Sequence, residues 1–156
     1  LMRKMNGSAN IVNCDDVNCI PRADGFGWDI YIKMDTKTLT GYALRIIRTT
    51  RNDKAVDFQL MRYNQGDIVP ISKAVSSICY RKGCVIKLKV EGNMLTADVF
   101  NENTLPKPHH PDLTTEVHLK TAIETNPYGG TGIQHTGSTG ASATVLQEME
   151  VKWNKK

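Results

Sequence analysis

The sequence predicts an all-β fold, a two-sheet antiparallel β-sandwich or jelly roll. The stretch Gly41–Gly66 contains two runs rich in branched and aromatic residues, Tyr42–Thr49 and Ala55–Tyr63, which flank a charged tip. Such a pair is typical of a β-hairpin. Apolar and polar residues alternate with a period of two in most other segments, and no segment has a convincing helical period. Glycine, proline and asparagine separate these segments at short intervals, as turns do.

The chain of 156 residues (17.4 kDa) has the length of one domain, and we assign residues 1–156 to a single β-sandwich with an irregular lead-in at residues 1–24. The net charge of +4 arises from 20 Lys and Arg against 16 Asp and Glu. These basic residues are scattered, so we expect no nucleic-acid partner. No apolar run approaches the length of a membrane span. Because the chain opens with Leu1, we interpret it as an excised fragment of a larger protein or a processed chain.

The first three predicted strands each have one apolar row, and the opposite row faces solvent in the first strand and is mixed in the two strands of the hairpin. The predicted inward rows contain Trp28, Ile30, Ile32 and Met34 in the first strand, Tyr42, Leu44 and Ile46 in the second, and Val56, Phe58 and Leu60 in the third. The opposite rows contain Asp29, Tyr31 and Lys33, then Ala43, Arg45 and Ile47, then Asp57, Gln59, Met61 and Tyr63. The mixed rows of the hairpin are either partly covered by other residues or offer an apolar surface to a ligand.

The second half of the chain continues the pattern. Ile86, Leu88 and Val90 alternate with charged residues, a Gly92-Asn93 turn follows, and Leu95, Ala97 and Val99 extend the inward row. The remaining predicted strands are Asp67–Ser72, Ala74–Cys79, Glu116–Ala122 and Thr144–Trp153. Pro70 confines the first of these to a sheet edge or an irregular position. The glycine-rich segment Gly129–Gly140 lacks the helix and the Lys of a phosphate loop, so we expect close packing of strands there.

The four cysteines occur as two pairs with the same spacing, Cys14 with Cys19 and Cys79 with Cys84. Each pair brackets a short polar segment, which favours two local disulfides over the other possible pairings. The alternative is a four-thiolate zinc site, although such sites usually have closer spacing within each pair. Disulfides form in oxidising compartments, so this prediction places the protein outside the cell, at its surface or in the periplasm.

No catalytic pattern is evident in the sequence. The histidines, including His109 and His110 in a proline-rich loop, do not have the spacing of metal ligands. No Ser lies in a nucleophile elbow, and no Cys–His pair has a catalytic pattern. Tyr31 and Tyr63, by contrast, fall on predicted outward faces, where aromatic rings can stack on sugars and polar neighbours can bind hydroxyl groups.

Four passages together resemble the concanavalin A-like lectin/glucanase superfamily in its laminin G-like form. They are GYALRIIRTT, AVDFQLMRYNQG, CVIKLKVEGNMLTADVF and GGTGIQHTGSTGASATVLQEMEVKW. The sequence style is similar to accessory modules of polysaccharide-degrading proteins in gut Bacteroidetes. The resemblance implies a jelly roll that recognises carbohydrate. The acidic cluster of the family's glucanases is missing, which argues against an enzyme. Family members that bind calcium use acidic loop residues, but Asp15, Asp16 and Asp112 match no such motif, so we expect no cofactor.

We therefore expect a non-catalytic carbohydrate-binding module of a secreted glycan-degrading protein. Its ligand would be a polysaccharide or oligosaccharide lying across the outward sheet face. The alternative is a structural accessory domain that packs against a neighbouring catalytic domain and binds no glycan; an unrecognised glycan lyase or hydrolase is a third hypothesis. The predicted carbohydrate-binding residues are Tyr31, Lys33, Arg45, Gln59 and Tyr63.

Overall fold

The computed structural model of the protein describes residues 2–6, 27–48, 55–136 and 145–152. Within these ranges the chain forms eleven strands and no helix, which confirms the predicted all-β fold. The strands are β1 (Met2–Asn6), β2 (Gly27–Asp35), β3 (Thr40–Arg48), β4 (Val56–Asn64), β5 (Asp67–Pro70), β6 (Val75–Ser77), β7 (Cys84–Glu91), β8 (Met94–Asn101), β9 (Val117–Ala122), β10 (Gly130–Thr136) and β11 (Val145–Glu150).

The strands form two antiparallel sheets. Sheet A has the order β11-β1-β7-β8-β9, and sheet B has the order β10-β2-β3-β4-β5, with β6 paired to the first half of β4. The predicted hairpin of β3 and β4 lies at the centre of sheet B and is paired from Gly41↔Tyr63 to Arg48↔Val56. The proline-containing strand β5 lies at a sheet edge, as Pro70 predicts.

The main hydrophobic core combines apolar rows from both sheets. Ile30, Leu44 and Phe58 of sheet B and Leu88 and Ala97 of sheet A are completely buried, which confirms the inward direction predicted for these five residues. Burying each large apolar side chain contributes about 1.5–3 kcal/mol. The alternation of apolar residues therefore accounts for both the formation of the sheets and their association.

Tyr80 and Trp28 meet in this core. Their rings pack edge to face, with centroids 6.0 Å apart and planes inclined by 74°. Trp28 lies on the predicted inward row, and Tyr80, from the turn after β6, is buried beside it. The turn after β6 thus contributes an aromatic side chain to the core as well as connecting two strands.

The alternation of β2 breaks at Lys33. The backbone there has a φ of 53°, and the pairing with β3 shifts register between Ile32 and Asp35. A bulge of this kind adds one residue to a strand, so the next side chain points to the other face. Met34 consequently packs with Tyr31 on the outer face of sheet B, and the prediction that Met34 shares the inward row is wrong.

Two glycines make room for the bulge. A Cβ atom at Gly41 on β3 would overlap the carbonyl oxygen of Lys33, and one at Gly130 on β10 would overlap that of Met34. Only a residue without a side chain allows these backbones to approach so closely. The close packing of strands predicted for the glycine-rich segment is found at Gly130.

Replacing Gly130 with Ala is expected to destabilise the protein by about 1–3 kcal/mol, because the new methyl group forces the backbone of Met34 to move. Gly132→Ala on the same strand is the matched control, since the nearest atom to its Cβ, in the Tyr31 ring, is 3.9 Å away. The free energy of unfolding in urea measures both effects. Equal stability of the two variants would contradict this account of the bulge.

Candidate functional site

A group of hydrogen-bonded side chains lies on the outer face of sheet B, opposite the core, and we call it the outer-face network. It contains Asp29 and Tyr31 on β2, Arg45 on β3, Tyr63 on β4 and Gln134 on β10. The antiparallel register places Asp29 beside Arg45 on one side and beside Gln134 on the other. Residues directly opposite on neighbouring strands point to the same face, which explains how four strands build one polar group.

The carboxylate of Asp29 is the centre of the network. Arg45 binds it with two hydrogen bonds, from Nε to Oδ1 at 2.9 Å and from Nη2 to Oδ2 at 2.8 Å, and the Tyr63 hydroxyl donates to Oδ2. The Asp29 side chain is 1% exposed, whereas that of Arg45 is 27% exposed. A buried carboxylate is tolerated only when it is paired and hydrogen-bonded, and Arg45 and Tyr63 meet this requirement.

The two tyrosines extend the network toward β10. The Tyr31 hydroxyl donates to Oε1 of Gln134, and the rings of Tyr31 and Tyr63 pack edge to face with centroids 5.3 Å apart. Met34, Ala43 and Met61 pack with these rings in a small apolar cluster. The outer face of sheet B therefore has its own minor core, from which Gln134 and part of Arg45 reach solvent.

The environment keeps Arg45 charged and both tyrosines neutral. The hydrogen bonds to Asp29 raise the pKa of Arg45. Burial, followed by the nearby Asp29 carboxylate, raises the pKa of Tyr63, and burial likewise raises the pKa of Tyr31. Raised values keep the guanidinium charged and both phenols neutral at physiological pH, whereas a general acid or base needs a pKa near the working pH. The network is suited to holding geometry and not to transferring protons.

The structure brings Tyr31, Arg45, Gln59 and Tyr63 to the same face of sheet B. Tyr31 and Tyr63 are only 7% and 3% exposed, so their rings are not open to solvent. The Gln59 amide lies beside Arg45 and donates to the carbonyl oxygen of Ser72 at 2.9 Å. Lys33 is half-buried at the bulge, outside the network.

Asp29 and Gln134 were not among the predicted site residues. Asp29 alternates with Trp28 and Ile30, which is also the pattern of an ordinary solvent-facing residue. The signal that identifies Asp29 is the register, because only the pairing of β2 with β3 places it opposite Arg45. Gln134 lies in the glycine-rich segment, where the sequence indicated only close packing.

The predicted disulfide between Cys79 and Cys84 is not formed. Both residues are free thiols, completely buried in the core, and their side chains hydrogen-bond to each other. That hydrogen bond lowers the pKa of Cys79 and, together with burial, raises that of Cys84. Cys14 and Cys19 lie outside the described residues, so their predicted pairing is not addressed.

Asparagine side chains hold the turn between Cys79 and Cys84 in place of the expected disulfide. Nδ2 of Asn101 lies 3.0 Å from the carbonyl oxygen of Cys79 and 3.2 Å from that of Lys82, and Nδ2 of Asn103 donates to Lys82 at 2.8 Å. These bonds satisfy the turn carbonyls across the end of β8. A buried thiol pair packs here as small apolar groups, so the turn is closed without a covalent link.

Acidic and imidazole side chains do not gather into a metal site in the described part of the chain, where no group of three or more His, Cys, Asp or Glu residues could hold an ion. Asp112 was considered above as a calcium ligand. Its Oδ1 atom lies 2.9 Å from Nδ1 of His110. Asp15 and Asp16 lie outside the described residues. Nothing among the described residues forms a helix able to span a membrane.

Comparison of the chain with protein families, with characterised proteins and with solved structures finds no match. The interpretation of its function therefore depends on the sequence and on the geometry above.

Replacing Tyr63 with Phe is expected to destabilise the protein by about 1–3 kcal/mol, because it removes a donor from the buried Asp29 carboxylate. Tyr31→Phe is the matched control. The Tyr31 hydroxyl donates to the exposed amide of Gln134, and water can replace it there. The expected loss of stability is therefore smaller, below about 1 kcal/mol. Chemical denaturation of both variants measures the difference. A larger loss for Tyr31→Phe would contradict the central role given to Asp29.

His118 on β9 should make the stability of the protein depend on pH. Its Nδ1 lies 2.7 Å from Asp98 Oδ1 and its Nε2 lies 3.0 Å from Glu116 Oε2, and these contacts, that with Asp98 first, raise the pKa of His118. Because the folded pKa exceeds the unfolded one, the stabilisation is complete below about pH 6.5, the ordinary value. It is lost as the pH rises through the raised value.

Thermal denaturation of the protein and of His118→Gln at a series of pH values tests this expectation. The substitution should remove a decline in melting temperature above about pH 6.5, whereas His109→Gln in the exposed proline-rich loop should leave that decline in place. A pH profile unchanged by His118→Gln would show that these contacts do not affect folding.

Proposed function

We propose that the chain is a non-catalytic carbohydrate-binding module, a jelly roll of the concanavalin A-like type from a secreted glycan-degrading protein. The observation that carries this proposal is the outer-face network. It presents a guanidinium held by a carboxylate, beside an exposed amide, on a rigid antiparallel sheet. Binding sites gain affinity when their polar groups are fixed before the ligand arrives.

Arg45 and Gln134 are the groups of the network that can meet a sugar directly. Asp29 fixes the plane of the Arg45 guanidinium. The partly exposed edge of that guanidinium can donate hydrogen bonds to sugar hydroxyl oxygens. The Asp29 carboxylate also balances the charge of Arg45. The pair therefore favours a neutral glycan over one rich in carboxylates or sulfates.

The tyrosines have a supporting role in this proposal. Tyr31 and Tyr63 are buried and packed against each other, so they orient Asp29 and Gln134 and do not offer ring faces for stacking. Hydrogen bonding at the rim of the network then provides the contacts with sugar. No catalytic role is assigned, because the Asp29 carboxylate is enclosed by its three donors.

A structural accessory domain is the second candidate, and the burial of the outer face favours it. Tyr31, Met61 and Tyr63 are buried, and the Asp29 carboxylate has its hydrogen bonds satisfied by Arg45 and Tyr63. A face with so few hydrogen-bonding groups left for a ligand has a structural role. In that case the domain packs against a neighbouring catalytic domain and binds no glycan itself.

Titration calorimetry of the purified chain against plant and host polysaccharides and oligosaccharides tests the proposal. We expect binding to a neutral glycan, weakened about tenfold or more by Arg45→Ala, as loss of a hydrogen bond from a charged group predicts. Gln134→Ala gives a second test that leaves the Asp29–Arg45 pair intact. Lys89→Ala on sheet A is the matched control, because Lys89 is 63% exposed and pairs with Glu91.

Circular dichroism establishes that each variant is folded before its titration is interpreted. If the folded protein binds no glycan in the panel, the carbohydrate proposal fails and the accessory-domain candidate is preferred. Full retention of binding by both Arg45→Ala and Gln134→Ala would remove the outer-face network from the binding site.

A further inference from the structure

A cleft opens between the two sheets at one end of the sandwich, and we call it the sheet-end cleft. Its volume is about 360 Å³, within the range of small-molecule sites. Sheet B contributes the cross-strand pair Tyr42 and Arg62, and sheet A contributes the segment that leaves β9. The lining residues are Tyr42, Arg62, Ile71, Ala122, Ile123 and Glu124. The cleft is separate from the outer-face network, since Tyr42 belongs to the core-facing row of β3.

Hydrogen bonds between the two sheets and within sheet A fix the walls of the cleft. The Tyr42 hydroxyl donates to the backbone oxygen of Glu124 at 2.9 Å, and Thr121 Oγ1 donates to the backbone oxygen of Ile71 at 3.2 Å. The amide of Ile123 donates to a backbone oxygen in the turn between β7 and β8 at 2.8 Å. A cleft with walls tied on both sides keeps its shape without a ligand, which lowers the entropic cost of binding.

The polar groups of the cleft are complementary in type. Arg62 is an exposed donor, Glu124 is an exposed acceptor, and within the described ranges neither forms a salt bridge. Arg62 continues the inward row of Phe58 and Leu60, so the row that builds the core ends in a cation at the cleft. The half-buried side chains of Ile71 and Ile123 supply an apolar wall.

We propose that the sheet-end cleft binds one end of a neutral saccharide, a monosaccharide or disaccharide unit. This inference rests on the proposed carbohydrate-binding function and adds a second contact region to it. Sugar hydroxyls both donate and accept hydrogen bonds. Two neighbouring hydroxyls can therefore accept from Arg62, which only donates, and donate to Glu124, which only accepts. The carbon face of a sugar ring fits the isoleucine wall. The opposite charges of Arg62 and Glu124 cancel, so the cleft does not select for a charged ligand.

The test uses the glycan found to bind in calorimetry, together with its monosaccharide and disaccharide fragments. Arg62→Ala and Glu124→Ala each remove one polar contact and should weaken binding about tenfold or more. Ala122→Trp fills the cleft from an exposed position at the end of edge strand β9 and should weaken binding at least as much. Lys120→Ala, an exposed cation on the same strand, is the matched control and should bind as the unmodified protein does.

The outcomes separate this inference from the proposed function. Weaker binding in Ala122→Trp and in either polar variant supports the sheet-end cleft, whatever the effect of Arg45→Ala. Unchanged binding in all three cleft variants, with loss in Arg45→Ala, overturns the cleft and leaves the carbohydrate proposal standing. No binding by the unmodified protein overturns both. Arg62, Ala122 and Glu124 are all exposed, so each variant is expected to fold. Circular dichroism checks this.

Discussion

A buried carboxylate organises the outer face of sheet B. Asp29 is almost completely enclosed, and an unpaired charge in that position would cost several kcal/mol. Its partners must therefore come from neighbouring strands, Arg45 from β3 and Tyr63 from β4. Both partners bring long side chains whose apolar parts need cover of their own. The identity of one residue thus dictates much of the composition of a face that would otherwise be free to vary.

The bulge at Lys33 supplies that cover. A regular β2 strand would send Met34 into the main core, but the extra residue turns it outward, where it packs with Tyr31 and Met61. The bulge itself depends on Gly41 and Gly130 on the flanking strands, since any side chain there would overlap the bulged backbone. Two glycines far apart in sequence thereby allow an apolar support to form beneath the Tyr31–Tyr63 pair. The buried carboxylate and the bulge are linked parts of one arrangement.

The sequence predicted those features that depend on local alternation. Rows such as Leu44 with Ile46 and Phe58 with Leu60 identify the hairpin and its buried face, because a strand has a side-chain period of two. The bulge could not be predicted, because Lys33 looks like any polar residue of a solvent-facing row and the space for the bulge is left by Gly41 and Gly130 on other strands. The network likewise depends on register, since Asp29 and Gln134 become neighbours only when β10 pairs with β2. The spacing of Cys79 and Cys84 also does not reveal that Asn101 binds the carbonyl oxygens of the turn between them.

The two regions proposed to contact sugar differ in how closely they are tied to stability. Arg45 serves the fold, because removing it leaves the buried Asp29 carboxylate without its cation, so function and stability are coupled at the network. Arg62 and Glu124 are exposed and form no salt bridge within the described residues, so the cleft can change these two residues at little cost to folding. A binding protein built on this sandwich would keep the network constant for rigidity and vary the cleft for specificity. Strand β3 connects the two, since it carries Arg45 on its outer row and Tyr42 on its inner row, and a change in its register would disturb both regions at once.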